Sequence, residues 1–285
     1  MSLHPMTELL IDAEQRKYAV PAINFSGVEI LYPVLEAAAE ARSPVIMQMA
    51  ASEMAYFGEK AVAGVVTEAV ERFGVRAALH LDHGRDYDVL VRCIRNGFTS
   101  VMFDGSALPF DENVKTTREI THIAHAAGIS VEGELGAVLW AEDADDQNGQ
   151  TSELTEPEAA AEFAEKTEID ALAVAIGTAH GFYKKAPRLD FNRLNRIRNA
   201  TKALPLVLHG GTGIPEEAVR QSVREGIRKI NFSAMFRVSY IDAFVEARMA
   251  NPDETRLINL SAIAMAKVRT LAGEIFPMTG SAGMT

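Results

Sequence analysis

Eight short apolar segments, rich in residues that favour β-strands, alternate with helical patterns along the chain. Parallel strands that are neighbours in a sheet need a crossover connection, and helices supply it. Eight such units predict an α/β fold of the (β/α)8 type, a TIM barrel, and an open doubly wound sheet is the alternative. No Gly-x-Gly-x-x-Gly sequence follows the first segment, which disfavours the dinucleotide-binding form of that alternative. The predicted strands are residues 19–25, 45–50, 77–83, 100–106, 130–136, 171–177, 205–211 and 229–233.

The length and the continuity of the pattern indicate one domain. The chain has 285 residues, and α/β barrels of about 250 residues fold as single domains. Neither an internal repeat nor a linker-like break interrupts the pattern, so we predict a single domain over residues 1–285. The acidic stretch 137–152 after the fifth strand predicts a long loop. A helical pattern near 258–272 lies beyond the eighth unit and predicts an extra C-terminal helix.

The net charge limits the classes of binding partner that we expect, and the cysteine content indicates the cellular compartment. The chain has 28 Lys and Arg against 39 Asp and Glu, a net charge of −11, which disfavours nucleic acids and anionic membranes as partners. A small anionic substrate is compatible with this net negative charge, since a local pocket can be positively charged even when the whole surface is negative. Cys93 is the only cysteine, so we expect no disulfide within the chain and a cytoplasmic location. The longest apolar run is far shorter than the ~20 residues that cross a bilayer.

Three histidines stand at the ends of predicted strands, where the active sites of barrels lie. His83, His180 and His209 belong to strands three, six and seven, so closure of the barrel can direct all three at one point. Three imidazoles with an open fourth position are the ligand set of a catalytic zinc site. A single histidine is more often an ordinary polar residue near a loop, but three at matching positions favour the metal site.

Carboxylates accompany these histidines. Asp82 directly precedes His83, and an acid beside a metal can exchange a proton with a substrate hydroxyl. A helix N-cap is the alternative role for Asp82. Asp104 and Glu134, on strands four and five, are candidates for alternate or second-site metal ligands, or for groups that orient the ligands. Each of the two alone is equally well explained as a partner in a buried salt bridge.

A glycine-rich turn, Gly210-Gly-Thr-Gly213, follows strand seven and precedes a predicted helix that starts near Pro215. Glycines let backbone amides approach a phosphate, and the N-terminus of a helix adds a positive dipole end. A simple tight turn is the alternative. Asn231 and Ser233 at the next strand end add hydrogen-bonding groups, which favours an anion site.

Local sequence also predicts the starts of two helices. Thr155-Glu-Pro-Glu158 has the pattern of a capping box, in which the Thr155 hydroxyl accepts a hydrogen bond from the amide of Glu158. Asp190 is placed to cap the helix that carries Leu194 and Ile197.

Six motifs follow one another at the predicted strands: His80-Leu-Asp-His83, Ser100-Val-Met-Phe-Asp-Gly-Ser106, Val131-Glu-Gly-Glu-Leu-Gly136, Ala175-Ile-Gly-Thr-Ala-His-Gly181, Leu208-His-Gly-Gly-Thr-Gly213 and Lys229-Ile-Asn231. Together they resemble the class II (zinc-dependent) ketose-bisphosphate aldolases, closest to the tagatose- and fructose-bisphosphate aldolases. The resemblance extends from about Ala19 to the C-terminus. It implies an enzyme that cleaves or forms the C3–C4 bond of a ketose (bis)phosphate, with dihydroxyacetone phosphate as the donor.

The resemblance also implies roles for individual residues. It makes His83, His180 and His209 the ligands of Zn²⁺ or another divalent metal, with a monovalent cation as a further candidate. It makes Asp82 the group that transfers the proton at the C4 hydroxyl, and Glu142 the group that moves the proton on the donor carbon. The residues implied in binding the substrate are Asn24, Gly181, Lys184, Gly210, Gly211, Thr212, Asn231 and Ser233.

The distribution of lysines favours the metal mechanism. Strand six contains no lysine, and Lys229 lies at the entrance of strand eight, so a Schiff-base aldolase is disfavoured. As family properties, we expect a role in carbohydrate metabolism such as glycolysis, and a homodimer or homotetramer. The alternatives are another metal-dependent lyase or isomerase acting on a related sugar phosphate or sugar acid, and a barrel that binds ligand without turnover.

Four residues depart from the family pattern. Ala50 and Ala234 replace a serine and a threonine, and Leu139-Trp140 replaces a Gly-Gly pair in the loop after strand five. Fewer hydroxyl groups for phosphate, together with an indole near the mouth of the barrel, favour an acceptor half that is less phosphorylated than in a bisphosphate.

Overall fold

The computed structural model describes residues 3–138, 154–202 and 204–285, and most of the loop predicted over 137–152 lies outside them. Eight parallel strands pair in sequence order and β8 pairs with β1, so the sheet closes into a barrel. The predicted TIM barrel is confirmed. The strands are β1 (Val20–Asn24), β2 (Val45–Ala50), β3 (Ala77–Gly84), β4 (Ser100–Phe103), β5 (Ser130–Leu135), β6 (Ala171–Val174), β7 (Leu206–Leu208) and β8 (Ile227–Phe232).

Helices connect the strands and form the outer layer. In chain order they are α1 (Met6–Arg16), α2 (Val28–Ala41), α3 (Ala51–Phe57), α4 (Glu59–Phe73), α5 (Tyr87–Arg95), α6 (Phe110–Ala126), α7 (Pro157–Thr167), α8 (Phe191–Ala200), α9 (Glu216–Arg224), α10 (Ala234–Ala250) and α11 (Leu257–Thr279). The predicted extra helix is α11, which has 23 residues and packs against α2 and α10. Within the described ranges, no helix combines the length and the apolar character needed to traverse a bilayer.

Apolar residues seal the amino-terminal end of the barrel. The strands are buried on both faces, which explains their nearly continuous apolar sequence. Met6, Leu9 and Leu10 of α1 pack against Val20 and Ile46 inside the barrel mouth at that end. Asp82, His83 and Asn231 lie towards the opposite, carboxyl end of the barrel, where the strands meet the loops.

One of the two predicted helix starts is confirmed and the other is wrong. Asp190 Oδ1 accepts a hydrogen bond from the amide of Arg193 over 2.9 Å and caps α8. The capping box is absent, because α7 begins without a side-chain cap. Instead, the Thr155 hydroxyl donates to the carbonyl of Leu135 and accepts from the amide of Ala175 over 2.8 Å. Thr155 thus joins the carboxyl ends of β5 and β6.

Candidate active site

A cavity of about 610 Å³ opens at the carboxyl ends of the strands. Gly211 and Lys184 do not line it, and His209 lies fully buried beneath it. Glu142, together with Leu139-Trp140, lies outside the described residues. The predicted site residues that line the cavity are Asn24, Asp82, His83, Asp104, Glu134, His180, Gly181, Gly210, Thr212, Asn231 and Ser233.

The three predicted ligand histidines come together at this cavity. The ring centroids of His83 and His209 are 4.8 Å apart, and those of His83 and His180 are 5.0 Å apart. The rings of His180 and His209 are 5.8 Å apart. One ring nitrogen of each lies within 4.8 Å of the other two, and Nε2 of His83 is 3.1 Å from Nδ1 of His209. Zinc–nitrogen bonds of about 2.0–2.1 Å separate tetrahedral ligands by roughly 3.3 Å, so these donors fit a divalent ion.

An unusual backbone conformation brings Asp82 and His83 to the same place. Adjacent residues of a regular strand point to opposite faces. Here the register of β3 with β4 shifts between Leu81 and Gly84, and His83 has a φ of 51°, in the left-handed region. Oδ1 of Asp82 consequently lies 3.9 Å from Nε2 of His83. A non-glycine residue in this conformation carries backbone strain, which is a frequent property of functional sites.

Two carboxylates stand on the other side of the His83 ring. Nδ1 of His83 is 3.1 Å from Oδ2 of Asp104 and 3.6 Å from Oε2 of Glu134. Asp104 is also held by the guanidinium of Arg85 at 2.8 Å. Oε2 of Glu134 is buried without a hydrogen-bond partner, so this oxygen is available as a metal ligand beside the imidazoles. His83, Asp104 and Glu134 form a second group that could hold a cation.

Burial and neighbouring charges set the protonation of the site. Burial opposes protonation of His83, but the surrounding carboxylates, Asp82 first, outweigh it and raise its pKa to about 9. Burial, reinforced by the charge of His83, lowers the pKa of His180 to about 4. Burial likewise holds the pKa of His209 well below its ordinary value. Burial also raises the pKa of Glu134 to about 8. Two imidazoles are thus neutral, and the third holds a proton that a cation would displace.

Asp82 is held by amide side chains from β1 and β8. Nδ2 of Asn24 donates to Oδ2 of Asp82 over 2.9 Å, and Nδ2 of Asn231 donates to Oδ1 over 3.3 Å. Gln48 fixes the orientation of Asn24 by donating to its Oδ1 over 2.8 Å. Burial disfavours the charged form of Asp82. The positive charge of His83 and the hydrogen bond from Asn24 outweigh this effect and lower the pKa of Asp82. Asp82 is therefore an ionised, fixed proton acceptor.

The glycine-rich turn after β7 leaves no room for a side chain at Gly210 or Gly211. Gly210 has a φ of 71°, and a Cβ atom at this position would lie 2.2 Å from the carbonyl oxygen of Ala179. The Tyr183 hydroxyl lies 2.8 Å from both the carbonyl of Gly210 and the amide of Ala179. Tyr183 therefore ties this turn to the loop that carries His180.

The turn is hydrogen-bonded to the end of β8, the strand that precedes α10. The amide of Gly211 donates to the carbonyl of Asn231 over 2.8 Å, so it is directed at the protein rather than at the cavity. The amide of Ser233 donates to Oγ1 of Thr212 over 3.3 Å. Because α10 starts at Ala234, which lines the cavity, a helix N-terminus stands beside the turn. Such an arrangement suits an anion.

Further charged residues line the cavity, and the sequence analysis did not find them. Besides Arg85, Arg237 in the first turn of α10 lies on its wall, with Nη1 3.4 Å from Oε1 of Glu53. Ser26 donates to the same oxygen of Glu53 over 2.5 Å. Arg85 could have been suspected from its position two residues after His83, whereas no local pattern distinguishes Arg237 or Glu53.

The model of the family described as "Fructose-bisphosphate aldolase class-II" matches residues 4–284. A relative from Bacillus subtilis (strain 168), described as a probable fructose-bisphosphate aldolase, is 41% identical over 257 residues, which are 89% of each chain. The X-ray structure of the YdjI aldolase from Escherichia coli K12 has a TM-score of 0.85 and 32% identity, over 99% of this chain and 98% of that chain. A putative fructose-1,6-biphosphate aldolase from Coccidioides immitis has a TM-score of 0.85 and 28% identity, over 97% and 96% of the two chains. The chain therefore belongs to the class II fructose-bisphosphate aldolase family and is an aldolase, a carbon–carbon lyase.

Proposed function

We propose that this aldolase cleaves and forms the C3–C4 bond of a ketose phosphate, with dihydroxyacetone phosphate as the donor half. In this proposal His83, His180 and His209 bind Zn²⁺ or another divalent metal. The observation that carries it is the convergence of the three imidazoles, with ligating nitrogens within 4.8 Å of one another, beside the ionised Asp82. Glu134 and Asp104 are candidates for an alternate ligand position or a second cation, including a monovalent one.

The reaction requires that negative charge on the donor half be stabilised while a proton leaves the C4 hydroxyl. When bound, a divalent metal acts as a Lewis acid on the oxygens of the donor half. Asp82 accepts the C4 hydroxyl proton during cleavage and returns it during condensation. Asn24 and Asn231 keep both carboxylate oxygens of Asp82 in fixed positions, so that Asp82 needs little reorganisation. Glu142 is proposed for the proton on the donor carbon.

The cavity walls support an anionic substrate. Gly181, Gly210, Thr212 and Ser233 line one side, next to the N-terminus of α10, and are proposed to hold the donor phosphate. Gly211 holds this turn in place through the hydrogen bond from its amide to the carbonyl of Asn231. The exposed Lys184 is proposed as a further substrate-binding residue. Ala50 and Ala234 contribute no hydroxyl groups to the cavity wall, whereas Arg85 and Arg237 contribute guanidinium groups. We therefore propose an acceptor half whose anionic group is bound by arginine.

The cellular setting is proposed on the same basis. We place the enzyme in the cytoplasm, in carbohydrate metabolism such as glycolysis, as one domain over residues 1–285, without a nucleic-acid or membrane partner. A homodimer or homotetramer is supported by an exposed apolar stripe on α10, formed by Val238, Ile241, Val245 and Met249 at helical spacing. Met249 is 74% exposed, which is unusual for such a side chain unless a partner covers it.

The proposal is tested by exhaustive chelation followed by a donor–acceptor screen. The chelated protein is compared with samples reloaded with Zn²⁺ or another divalent metal, using dihydroxyacetone phosphate or dihydroxyacetone with a panel of phosphorylated and unphosphorylated aldehydes. We expect condensation only with the phosphorylated donor and only after reloading. Full activity after chelation contradicts the proposal.

Variants of single histidines complete the test. His180→Asn should lose both metal and activity, whereas His122→Asn, on the exposed face of α6, should lose neither. Release of no three-carbon product from any ketose phosphate would indicate a different metal-dependent lyase or isomerase. Tight binding of dihydroxyacetone phosphate without turnover would indicate a binding protein.

A further inference from the structure

Beneath the proposed metal site lies a group of buried polar side chains that the proposed reaction does not use. Glu132, Lys229 and His80 are fully buried in the barrel interior, next to the fully buried ring of the proposed ligand His209. Nζ of Lys229 lies 2.8 Å from Oε2 of Glu132, and Nε2 of His80 lies 3.7 Å from the same oxygen. Because desolvation offsets most of the attraction in a buried ion pair, stability alone does not explain why Glu132 and Lys229 lie inside the barrel.

The second oxygen of Glu132 contacts a proposed metal ligand. Oε1 of Glu132 lies 2.9 Å from Nε2 of His209. Because the other oxygen of Glu132 contacts the Lys229 ammonium at 2.8 Å, we assign Oε1 as the acceptor and Nε2 of His209 as the donor. The neutral ring then has its lone pair on Nδ1. Nδ1 is the atom that lies 3.1 Å from Nε2 of His83, at the point where the three imidazoles meet.

We infer that Glu132, held by Lys229, is a positioning residue that fixes the His209 ring so that Nδ1 is presented to the metal. The inference rests on the proposed function for the identity of the occupant. Lys229 neutralises one carboxylate oxygen and leaves the other for His209, while the opposite ring nitrogen of His80 is anchored by Ser100 at 2.7 Å. Groups behind a metal-ligating imidazole typically change metal affinity by about 10-fold to 100-fold.

A double variant tests this role without leaving a lone buried charge. Glu132→Leu combined with Lys229→Met removes both charges and also the hydrogen-bond acceptor for Nε2 of His209, and it keeps similar side-chain volumes. We expect the dissociation constant for Zn²⁺ and for Co²⁺, measured by equilibrium dialysis, to rise about 10-fold to 100-fold. We also expect the absorption spectrum of the Co²⁺-loaded protein to change, because the ligand geometry is no longer fixed. Unchanged metal affinity would overturn the inference, and a lowered melting temperature alone would assign the pair a purely structural role.

A matched control comes from a second ion pair at the other end of the barrel. Glu14→Gln with Arg228→Met removes the pair between α1 and β8, far from the cavity. This control should lose stability without any change in metal affinity.

Histidine-selective nitrogen NMR on the wild-type protein tests the inference even if the double variant does not fold. The ring signals of His209 are identified by their absence from His209→Asn. We expect the proton on Nε2 in the metal-free and the loaded protein, and a proton on Nδ1 would overturn the inference. Failure of the wild-type protein to bind any divalent metal would instead count against the proposed function, and the NMR result would still decide the role of Glu132.

Discussion

Asn24 orients Asp82 by donating a hydrogen bond from Nδ2 to Oδ2 over 2.9 Å, and Gln48 in turn holds Asn24. Asn24, Gln48 and Asp82 come from β1, β2 and β3, which are consecutive strands of the barrel. The carboxylate is therefore fixed by the frame of the sheet rather than by a loop. A group held in this way can accept a proton at one defined point, which is the property that the proposed reaction requires.

Asp82→Asn should abolish most of the activity while leaving the metal in place. The amide keeps the shape of the carboxylate but cannot accept the C4 hydroxyl proton, so the cleavage rate should fall about 10²-fold to 10⁴-fold. The rate is measured from the release of dihydroxyacetone phosphate, and the metal content is measured on the same sample. Asp86→Asn, at the exposed N-cap of α5, is the matched control and should keep its rate. Equal rates for wild type and Asp82→Asn would remove Asp82 from the mechanism.

Gly210→Ala should cost more stability than Gly128→Ala, although the two glycines share nearly the same conformation. Their φ angles are 71° and 73°, so both variants pay the left-handed backbone penalty of about 1–2 kcal/mol. Only at Gly210 would the new Cβ meet a neighbour, the carbonyl of Ala179. Overpacking of this kind adds about 1–3 kcal/mol to the loss of unfolding free energy, measured by urea denaturation. Equal losses for the two variants would contradict the tight packing of the turn.

Arg237→Met should weaken substrate binding more than turnover. A charge-assisted hydrogen bond contributes about 1.5–3 kcal/mol, so we expect KM for the anionic substrate to rise about 10-fold or more with a smaller change in kcat. Steady-state kinetics with phosphorylated and unphosphorylated acceptors identifies which half of the substrate the arginine meets. Arg224→Met, on the exposed face of α9 beside Glu217, is the control and should leave both constants unchanged. An unaltered KM for every substrate would exclude Arg237 from binding.

Cys93 should resist thiol reagents in the folded protein. Burial, with a smaller effect of the Glu59 charge, raises the pKa of its thiol to about 12. Labelling of the folded protein should therefore be slow and should still rise about tenfold per pH unit from pH 7 to pH 9, because only a small fraction of the thiol is ionised. In denaturant it should become fast and level off above about pH 8.5, where an ordinary thiol is ionised. The raised pKa stabilises the folded state below the pKa of the unfolded thiol, and this contribution is lost as the pH rises towards 12. Rapid labelling of the native protein would contradict the burial of Cys93.

Much of the architecture could be predicted because it depends on periodicity. Each predicted strand overlaps an observed strand, since both faces of a parallel barrel are buried and its strands are largely apolar. The predicted segments ran past the strand ends, as at 171–177, where β6 stops at Val174. Several residues in excess on other strands, namely Asp104, Ser106 and Gly210, line the cavity, so there the difference in bounds marks the functional end of the barrel.

Pairings between distant segments could not be predicted. The sequence around Thr155 has a capping pattern, yet its hydroxyl bridges two strand ends that only the closed barrel brings together. The role of Glu132 depends on His209 and Lys229, which lie on other strands far along the chain. Arg237 reaches the cavity only because α10 starts beside it. Such contacts are set by tertiary geometry, which local propensity does not contain.

The left-handed conformation of His83 has a further consequence for how this aldolase tolerates motion. Because His83 and its neighbour Asp82 are joined by one peptide bond, the spacing between the proposed ligand and the proposed proton acceptor is limited by covalent geometry. Breathing of the barrel or displacement of a loop shifts the two groups as one unit. The backbone separation of the proposed ligand and the proposed proton acceptor is thereby independent of the positions of the outer loops.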